Sequence, residues 1–379
     1  MSMFFITFFT LYAALHAYVF IKAWHAFRFR PLTGCIIALF LFLSVFMPMI
    51  ARTLEQGGQE SIARVLAYIG YIWMSAIFIF FVISLTIDIG RFFIIMASSI
   101  FKVSLPTVSR ASLLLFLIPI AASVSIVAYG YHEALTIRTE RVVIETPKLP
   151  GTVKKLKIVQ ISDVHLGLVN RENRLRKVVA VIKEVDPDIV VSTGDLVDGQ
   201  INTIDGLSDM LREIEPRYGK YAIMGNHEFY AGVAISEDFT RKAGFRMLRQ
   251  EAITIDGVIN LAGVDDDAGH RSAGRASGRE SLLLAGLPRQ LFTIFLKHRP
   301  LVEASSLGLF DIQLSGHTHG GQVYPFKYIT RITFPMIAGL YRLEKSSLLY
   351  VSRGTGTWGP PIRFLTPPEV TVIEVVRKK

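Results

Sequence analysis

The stretch Ser315-Gly316-His317-Thr318-His319-Gly320-Gly321-Gln322 decides how the second half of this chain is interpreted. It follows the apolar run Phe310-Asp311-Ile312-Gln313-Leu314, and this order predicts a buried strand that opens into a glycine-bounded turn. Two histidines one residue apart on such a turn can bind one metal ion or two neighbouring ions. Glycine has no side chain, so the flanking glycines let the backbone approach an ion or a phosphate closely. One such pair is also compatible with an ordinary turn, so the assignment depends on partners elsewhere.

Four other predicted strands end in residues of the types that bind metals. Each of these endings alone is also typical of a turn or a helix cap. In open α/β sheets, however, ligands bind beyond the carboxyl ends of the strands, so we expect all of these side chains to meet at one rim. The predicted metal ligands are Asp163, His165, Asp195, Asn226, His298, His317 and His319, with His227 as a spare imidazole beside them.

This mixture of carboxylate, imidazole and amide oxygen, without thiolate, suits manganese, iron or zinc. We therefore predict two divalent metal ions about 3.5–4 Å apart, the usual arrangement for displacement at phosphorus. Asp195 is the natural bridging carboxylate. The predicted nucleophile is a metal-bridging hydroxide, and His227 is the predicted catalytic acid that protonates the leaving alkoxide.

Strands alternate with helices through the second half of the chain, which predicts an α/β fold. Residues 157–162, 188–193 and 221–224 read as strands, with an amphipathic helix at 172–184 and another helix around 204–214. So many strands favour two sheets with helices outside. Further strands are predicted at 252–264, 291–297, 310–315, 347–352 and 369–376.

These motifs, in this order, resemble those of the calcineurin-like metallophosphoesterase superfamily. The resemblance covers roughly 156–379. The segments 316–322 and 354–363 resemble in particular its membrane-associated bacterial branch. The resemblance implies a four-layer αββα sandwich. It also implies that Asp163, His165, Asp195 and His319 hold one ion, that Asp195, Asn226, His298 and His317 hold the other, and that His227 is the acid.

Residues 1–132 predict a transmembrane region. Four stretches without acidic or basic residues are each long enough to cross a bilayer once, which takes roughly 20 apolar residues. A cleaved signal peptide is disfavoured because residues 1–21 contain no basic n-region and no clear small-x-small cleavage site before Lys22. Residues 92–101 either lie in the interface or prolong the third helix. The predicted spans are about 3–21, 32–51, 65–87 and 112–131, followed by a linker with a first edge strand at 133–155 and the metallophosphoesterase domain at 156–379.

The charge distribution bears on location and partners. Lysine and arginine are slightly more frequent in the first and third loops, among them Arg110. Loops rich in these residues usually lie in the cytoplasm, so this bias favours both termini and the catalytic domain on the outer face of the cell membrane. The formal net charge of +10 suits membrane lipids or a phosphorylated substrate. No nucleic acid partner is expected, because aromatic and basic residues do not interleave. The single cysteine, Cys35, rules out an intramolecular disulfide.

The predicted function is a membrane-anchored dimetal phosphoesterase acting on a phosphomonoester, a phosphodiester or a pyrophosphate, lipid-linked ones included. The alternative is a non-catalytic membrane receptor that binds a phosphorylated ligand through the metal site. Three assignments stay open. Arg363 either contacts substrate or pairs with a carboxylate, Asp198 either orients His227 or caps a turn, and residues 265–267 lie either at the rim or in a solvated loop.

Overall fold

The structure is a computed structural model that describes residues 2–102, 111–199, 206–270 and 279–378. Two predicted features fall partly outside these ranges: Arg110 in the third loop, and the start of the helix predicted around 204–214. The chain divides into two compact units. One comprises residues 1–131 and 360–362, and the other comprises residues 132–359 and 363–379.

The first unit is helical. Among the described residues, three helices are long and apolar enough to cross a membrane, and a fourth span exists if a bent pair is counted as one. The helix α4 has 42 residues and is continuous through 92–101, so that segment prolongs the third helix. The helices are α1 (Ser2–Phe27), α2 (Pro31–Val45), α3 (Met47–Gln56), α4 (Glu60–Phe101) and α5 (Ala111–Leu135), the last of which continues into the second unit.

The span predicted as one helix at 32–51 is instead the pair α2 and α3, which meet at a bend of 47°. Pro48 lies in the first turn of α3. A proline has no backbone N–H to donate and its ring clashes with the carbonyl four residues earlier, so the helix breaks just before it.

The second unit contains two six-stranded mixed sheets. In the first sheet the strand order is β1-β12-β2-β3-β4-β5, and β2 to β5 are parallel. In the second sheet the order is β10-β11-β9-β8-β7-β6. The strands are β1 (Arg138–Thr146), β2 (Lys155–Ile161), β3 (Ile189–Ser192), β4 (Lys220–Ala222), β5 (Arg246–Met247), β6 (Glu251–Ile255), β7 (Ile259–Val264), β8 (Phe292–Lys297), β9 (Ile312–Ser315), β10 (Gly339–Arg342), β11 (Leu348–Val351) and β12 (Glu369–Arg377).

Apolar residues that alternate along the strands build the layers. Ile158 of β2 belongs to a core shared with Ile294 and Leu314 of the other sheet, so the two sheets pack face to face. Its neighbour Val159 points the opposite way and packs with Val178 under a helix. The predicted four-layer αββα sandwich is confirmed. The helices of this unit are α6 (Glu172–Val185), α7 (Leu207–Arg212), α8 (Asn226–Ala231), α9 (Val233–Lys242), α10 (Arg279–Ala285) and α11 (Lys327–Thr333).

The sequence pattern missed two short strands, β5 and β10, and joined two others. The predicted strand 252–264 is a hairpin of β6 and β7, turned at residues 256–258. The predicted edge strand in the linker is β1, which pairs in parallel with β12.

Candidate metal centre

Five strand ends bring the predicted ligands to one place. Asp163 and His165 follow β2, and the segments after β3, β4, β8 and β9 supply the remaining ligands. Most of these side chains are buried, and His298 is completely inaccessible. The structure thus assembles the seven predicted side chains, while their binding of metal stays a prediction.

Five of the seven predicted ligands have a backbone that L-residues rarely adopt. A positive φ costs a non-glycine residue roughly 1–2 kcal/mol. Its recurrence at one site indicates that the surrounding structure imposes it for a function. The residues and their φ angles are Asp163 (52°), His165 (50°), Asp195 (52°), His317 (70°) and His319 (50°).

We call Asp163, His165 and His319 the Asp163 half of the centre. Nε2 of His165 lies 3.1 Å from Nε2 of His319, and the latter nitrogen lies 3.6 Å from Oδ1 of Asp163. Gly316 makes this packing possible, because a Cβ there would lie 2.2 Å from Oδ2 of Asp163. The backbone N–H of His317 donates to the same carboxylate.

We call Asn226, His298 and His317 the His298 half. Nε2 of His298 lies 3.2 Å from Nδ1 of His317. The same Nε2 is 3.2 Å from Oδ2 of Asp195, and that oxygen is 3.8 Å from Nε2 of His165. Asp195 therefore faces both halves, as expected of a bridging carboxylate.

These residues fit a pair of divalent cations. Oδ1 of Asn226 is buried and has no hydrogen-bond partner among the described residues, which is costly for a lone acceptor. A cation beside it would satisfy that oxygen. The imidazole nitrogens also face each other in pairs within each half, and the donors contain no thiolate. Such a donor set suits manganese, iron or zinc, and the geometry does not choose among them.

His227 is oriented by a carboxylate. Its Nδ1 lies 2.8 Å from Oδ1 of Asp198, which agrees with the first of the two roles considered for Asp198. Its backbone N–H donates to Oδ1 of Asp195 at 2.8 Å. The ring is mostly buried and packs against the rings of Tyr230 and Trp358, with centroids 5.4 and 5.7 Å away. With Nδ1 engaged, Nε2 is the nitrogen left for chemistry.

Charges at the centre shift several pKa values. Burial disfavours the charged form of His227, but the carboxylates of Asp198 and Asp195 outweigh it and raise the pKa of His227 to about 9. Burial also opposes ionisation of Asp195, yet positive charge on His298 and His227 holds the pKa of Asp195 well below its usual value. Burial raises the pKa of Asp163 to about 6. Asp195 thus stays ionised between the two halves, where cations would bind.

Several supporting groups were not assigned from the sequence. The carboxylate of Glu228 accepts the backbone N–H groups of Asp195, Leu196 and Gly225 at 2.7–3.0 Å. The hydroxyl of Ser162 donates to Oδ2 of Asp163 at 2.5 Å. Glu228 stands in the Gly-Asn-His-Glu run, so its place beside a predicted ligand and the predicted acid was the available signal.

The predicted substrate contact of Arg363 is corrected by the structure. Its side chain is 0% exposed. Among the described residues, the guanidinium donates to the carbonyls of Gly356, Arg353 and His319, and Nη2 lies 3.0 Å from Nδ1 of His319. Arg363 therefore supports the predicted ligand His319 and does not reach substrate. The alternative considered for Arg363 was an ion pair with a carboxylate, and these contacts do not include one.

Residues 265–267 were considered either as part of the rim or as a solvated loop, and the structure does not place all three in a solvated loop. Asp265 and Asp266 are buried. Oδ2 of Asp265 accepts from Nε of Arg249, and Oδ2 of Asp266 accepts from Nε of Arg299, the residue after His298. Both carboxylates pair with an arginine, and the Asp266 pair braces the segment that carries His298.

Comparison with known proteins agrees with this geometry. Residues 156–321 match the family model described as calcineurin-like phosphoesterase. An uncharacterized metallophosphoesterase from Aquifex aeolicus is 43% identical over 253 residues, which is 66% of this chain and 96% of that protein. The chain belongs to the calcineurin-like metallophosphoesterase family. It is accordingly a metal-dependent phosphoester hydrolase, and the predicted resemblance is confirmed.

Other relatives add context. A transmembrane protein with metallophosphoesterase domain from Danio rerio is 32% identical, over 61% of this chain and 55% of that protein. Together with the apolar helices, this relative indicates membrane association. A dimetal phosphatase structure from the same organism has a TM-score of 0.37 at 13% identity, covering 53% of this chain and 88% of that one.

Proposed function

We propose that this metallophosphoesterase is a membrane-anchored hydrolase that uses two metal ions to cleave phosphoester or pyrophosphate bonds. The observation that carries the proposal is the convergence of seven ligand-type side chains from five strand ends around Asp195. Asp163, His165, Asp195 and His319 would hold one ion, and Asp195, Asn226, His298 and His317 the other. When bound, such a pair binds the phosphate and activates water for attack at phosphorus.

The chain's own residues supply orientation and proton transfer. Asp195 holds the backbone of His227, and Asp198 holds its Nδ1, so that Nε2 stays available to protonate the leaving oxygen. Glu228 fixes the loop that carries Asp195 through the backbone N–H groups of Asp195 and Leu196, and it accepts that of Gly225 in the next loop. Burial of most ligands limits water near the centre, which strengthens each charge interaction there.

The substrate belongs at the membrane in this proposal. Apolar helices anchor the chain, and its formal net charge of +10 favours phosphorylated or anionic partners. Lipid phosphates and lipid-linked pyrophosphates combine both features. We place the domain on the outer face, since lysine and arginine favour the first and third loops inside. A reporter that is active only in the cytoplasm should be inactive when fused to the C-terminus. An active reporter would contradict the outward orientation.

The direct test uses the full chain purified in detergent and loaded with Mn²⁺. We expect hydrolysis of bis(p-nitrophenyl) phosphate, and loss of that activity in Asp195→Asn because both halves share this carboxylate. The matched control is Asp209→Asn, which removes an exposed carboxylate on α7 and should leave the rate unchanged. Metal-loaded protein that binds phosphate but hydrolyses no phosphoester would favour a receptor instead.

A further inference from the structure

The helix α11 exposes apolar side chains to an unusual degree for a folded domain. None of its seven residues, all within the described part of the chain, is buried. Ile332 is 83% exposed, and Phe326, Tyr328 and Ile329 are each about half exposed. Isolated exposed apolar residues are ordinary, but four of them within seven positions form a patch that marks a binding surface.

Basic and aromatic groups frame this patch. The ammonium of Lys327 lies 5.1 Å from the ring centroid of Tyr324 and 5.3 Å from that of Tyr328. Arg331, one helical turn later, is exposed. Tyrosine rings and long basic side chains beside aliphatic ones are the composition of interfacial segments, where apolar groups enter lipid and cations meet headgroups.

The patch is continuous with the metal centre. The chain passes from the His317-Thr318-His319 turn into α11 within eight residues, and the ring of Phe334 at the end of α11 packs on His317 with centroids 4.9 Å apart. Gly321 abuts the backbone of Lys327, where a Cβ would come within 2.4 Å. A molecule held on α11 would therefore stand beside the proposed catalytic site.

We propose that α11 and its flanking residues, the segment 324–334, form a docking surface for the headgroup region of an anionic lipid bilayer. Only Thr136 and Ile137 separate the apolar helix α5 from β1, so the chain itself tethers this domain close to a membrane. The cations Lys327 and Arg331 complement anionic headgroups. A bilayer is thus the partner that both the tether and the charge of this surface favour.

The role of this surface rests on the proposed function, which it deepens: docking holds the mouth of the site at the bilayer, where a phosphate on a lipid headgroup is within reach. Substrates that stay in the membrane then need not leave it to be hydrolysed. The docking itself is measurable without any turnover.

The test measures depth in the bilayer. The full chain carrying Cys35→Ala and Ile332→Cys is spin-labelled in nanodiscs containing anionic phospholipid, and label accessibility to O₂ and to a polar nickel complex is compared. The matched control is Leu282→Cys on α10, an equally apolar side chain that is 78% exposed. We expect O₂ to dominate at position 332 and the nickel complex to dominate at 282.

Two further results decide the proposal. In the Ile332→Cys protein, adding Ile329→Asp should make the label at 332 more accessible to the nickel complex, whereas adding Leu282→Asp should not. In the same variants, hydrolysis of bis(p-nitrophenyl) phosphate should stay within about twofold of wild type, because the dissolved ester needs no docking. A label at 332 that is as water-accessible as the one at 282, or that is shielded from both reagents by a second copy of the chain, would overturn the proposal. If the wild-type protein itself did not hydrolyse the ester, that result would count against the proposed function and not against docking.

Discussion

The two halves of the metal centre hold their histidines through different partners. In the His298 half, Nδ1 of His298 lies 2.8 Å from the carbonyl oxygen of Thr193. A carbonyl only accepts, so the ring carries its proton on Nδ1 and turns Nε2 toward Asp195. In the Asp163 half, His319 is held through its backbone instead, because its carbonyl oxygen accepts from Nη1 of Arg363 at 2.9 Å.

This difference indicates where each half gets its support. Thr193 directly follows β3, so the His298 half depends on the sheet itself. Arg363 comes from the C-terminal segment and ties His319 to the carbonyls of Gly356 and Arg353. The Asp163 half therefore depends on a segment outside the residues matched by the family model. Changes to one half should leave the other able to bind metal.

The largest expected effect comes from removing one ligand at a time. His298→Ala and His319→Ala should each bind one metal ion per chain where wild type binds two, and each should lose roughly a thousandfold in hydrolysis rate. That loss corresponds to about 4 kcal/mol of charge stabilisation in the transition state. Metal analysis after dialysis and the rate with bis(p-nitrophenyl) phosphate provide the measurement. If either variant lost both ions, the halves would not be separable.

His227 stands outside both halves and should behave differently. His227→Gln should retain two ions but lose about a hundredfold in rate with an alkyl phosphoester, whose leaving alkoxide needs a proton. With p-nitrophenolate, a leaving group that needs none, the loss should be small. Paired rates for the two esters check this, with Asp198→Asn expected to follow the same pattern more weakly. Equal losses for both esters would argue against an acid role.

Arg363 sharpens the comparison most directly. Arg363→Lys keeps the charge but loses the planar fork that spans His319 and the carbonyls. We expect metal affinity of the Asp163 half to fall about ten- to hundredfold, the usual range for groups that orient ligands, and the His298 half to be unchanged. Calorimetric Mn²⁺ titration of the full chain resolves the two steps. The control is Arg353→Lys, whose side chain pairs with Glu140 and Glu369; an equal effect there would remove the special role of Arg363.

The smallest effect should come from a glycine. Gly354 has a φ of 82°, and an added Cβ would lie 3.1 Å from Nη2 of Arg363 and 3.2 Å from Nδ1 of His319. Gly339 has a φ of 90° and open space around it. Alanine at either position should cost about 1–2 kcal/mol of stability through backbone strain. Only Gly354→Ala should also weaken metal binding at the Asp163 half. Apparent Tm and metal titration separate the two, and identical behaviour would show that crowding at Gly354 is harmless.

Much of the fold and of the site was predictable from local pattern. Apolar runs such as residues 157–162 are long enough to identify buried strands, and polar residues at their ends fall at one rim because parallel strands share a carboxyl edge. The predicted αββα sandwich and the gathering of Asp163 with His319, 156 residues later, follow from that rule. The family motifs strengthened the same prediction.

What the sequence missed depends on tertiary contacts. From the sequence, Arg363 is expected either to contact substrate or to pair with a carboxylate, and only the packed structure shows that carbonyls surround it. The positive φ angles of the ligands are likewise imposed by neighbours and leave no trace in residue type. Short strands such as β5, with two residues, carry too little pattern to detect. The bend before α3 was foreseeable from Pro48, but proline is also tolerated within membrane helices.

The most direct test of this account is a crystal structure of the Mn²⁺-loaded full chain with anomalous data at the manganese edge. The account predicts two peaks about 3.5–4 Å apart, one within the Asp163 half and one within the His298 half, with Asp195 touching both. A single ion, ions bound elsewhere, or a protein that takes up no manganese, iron or zinc would contradict it.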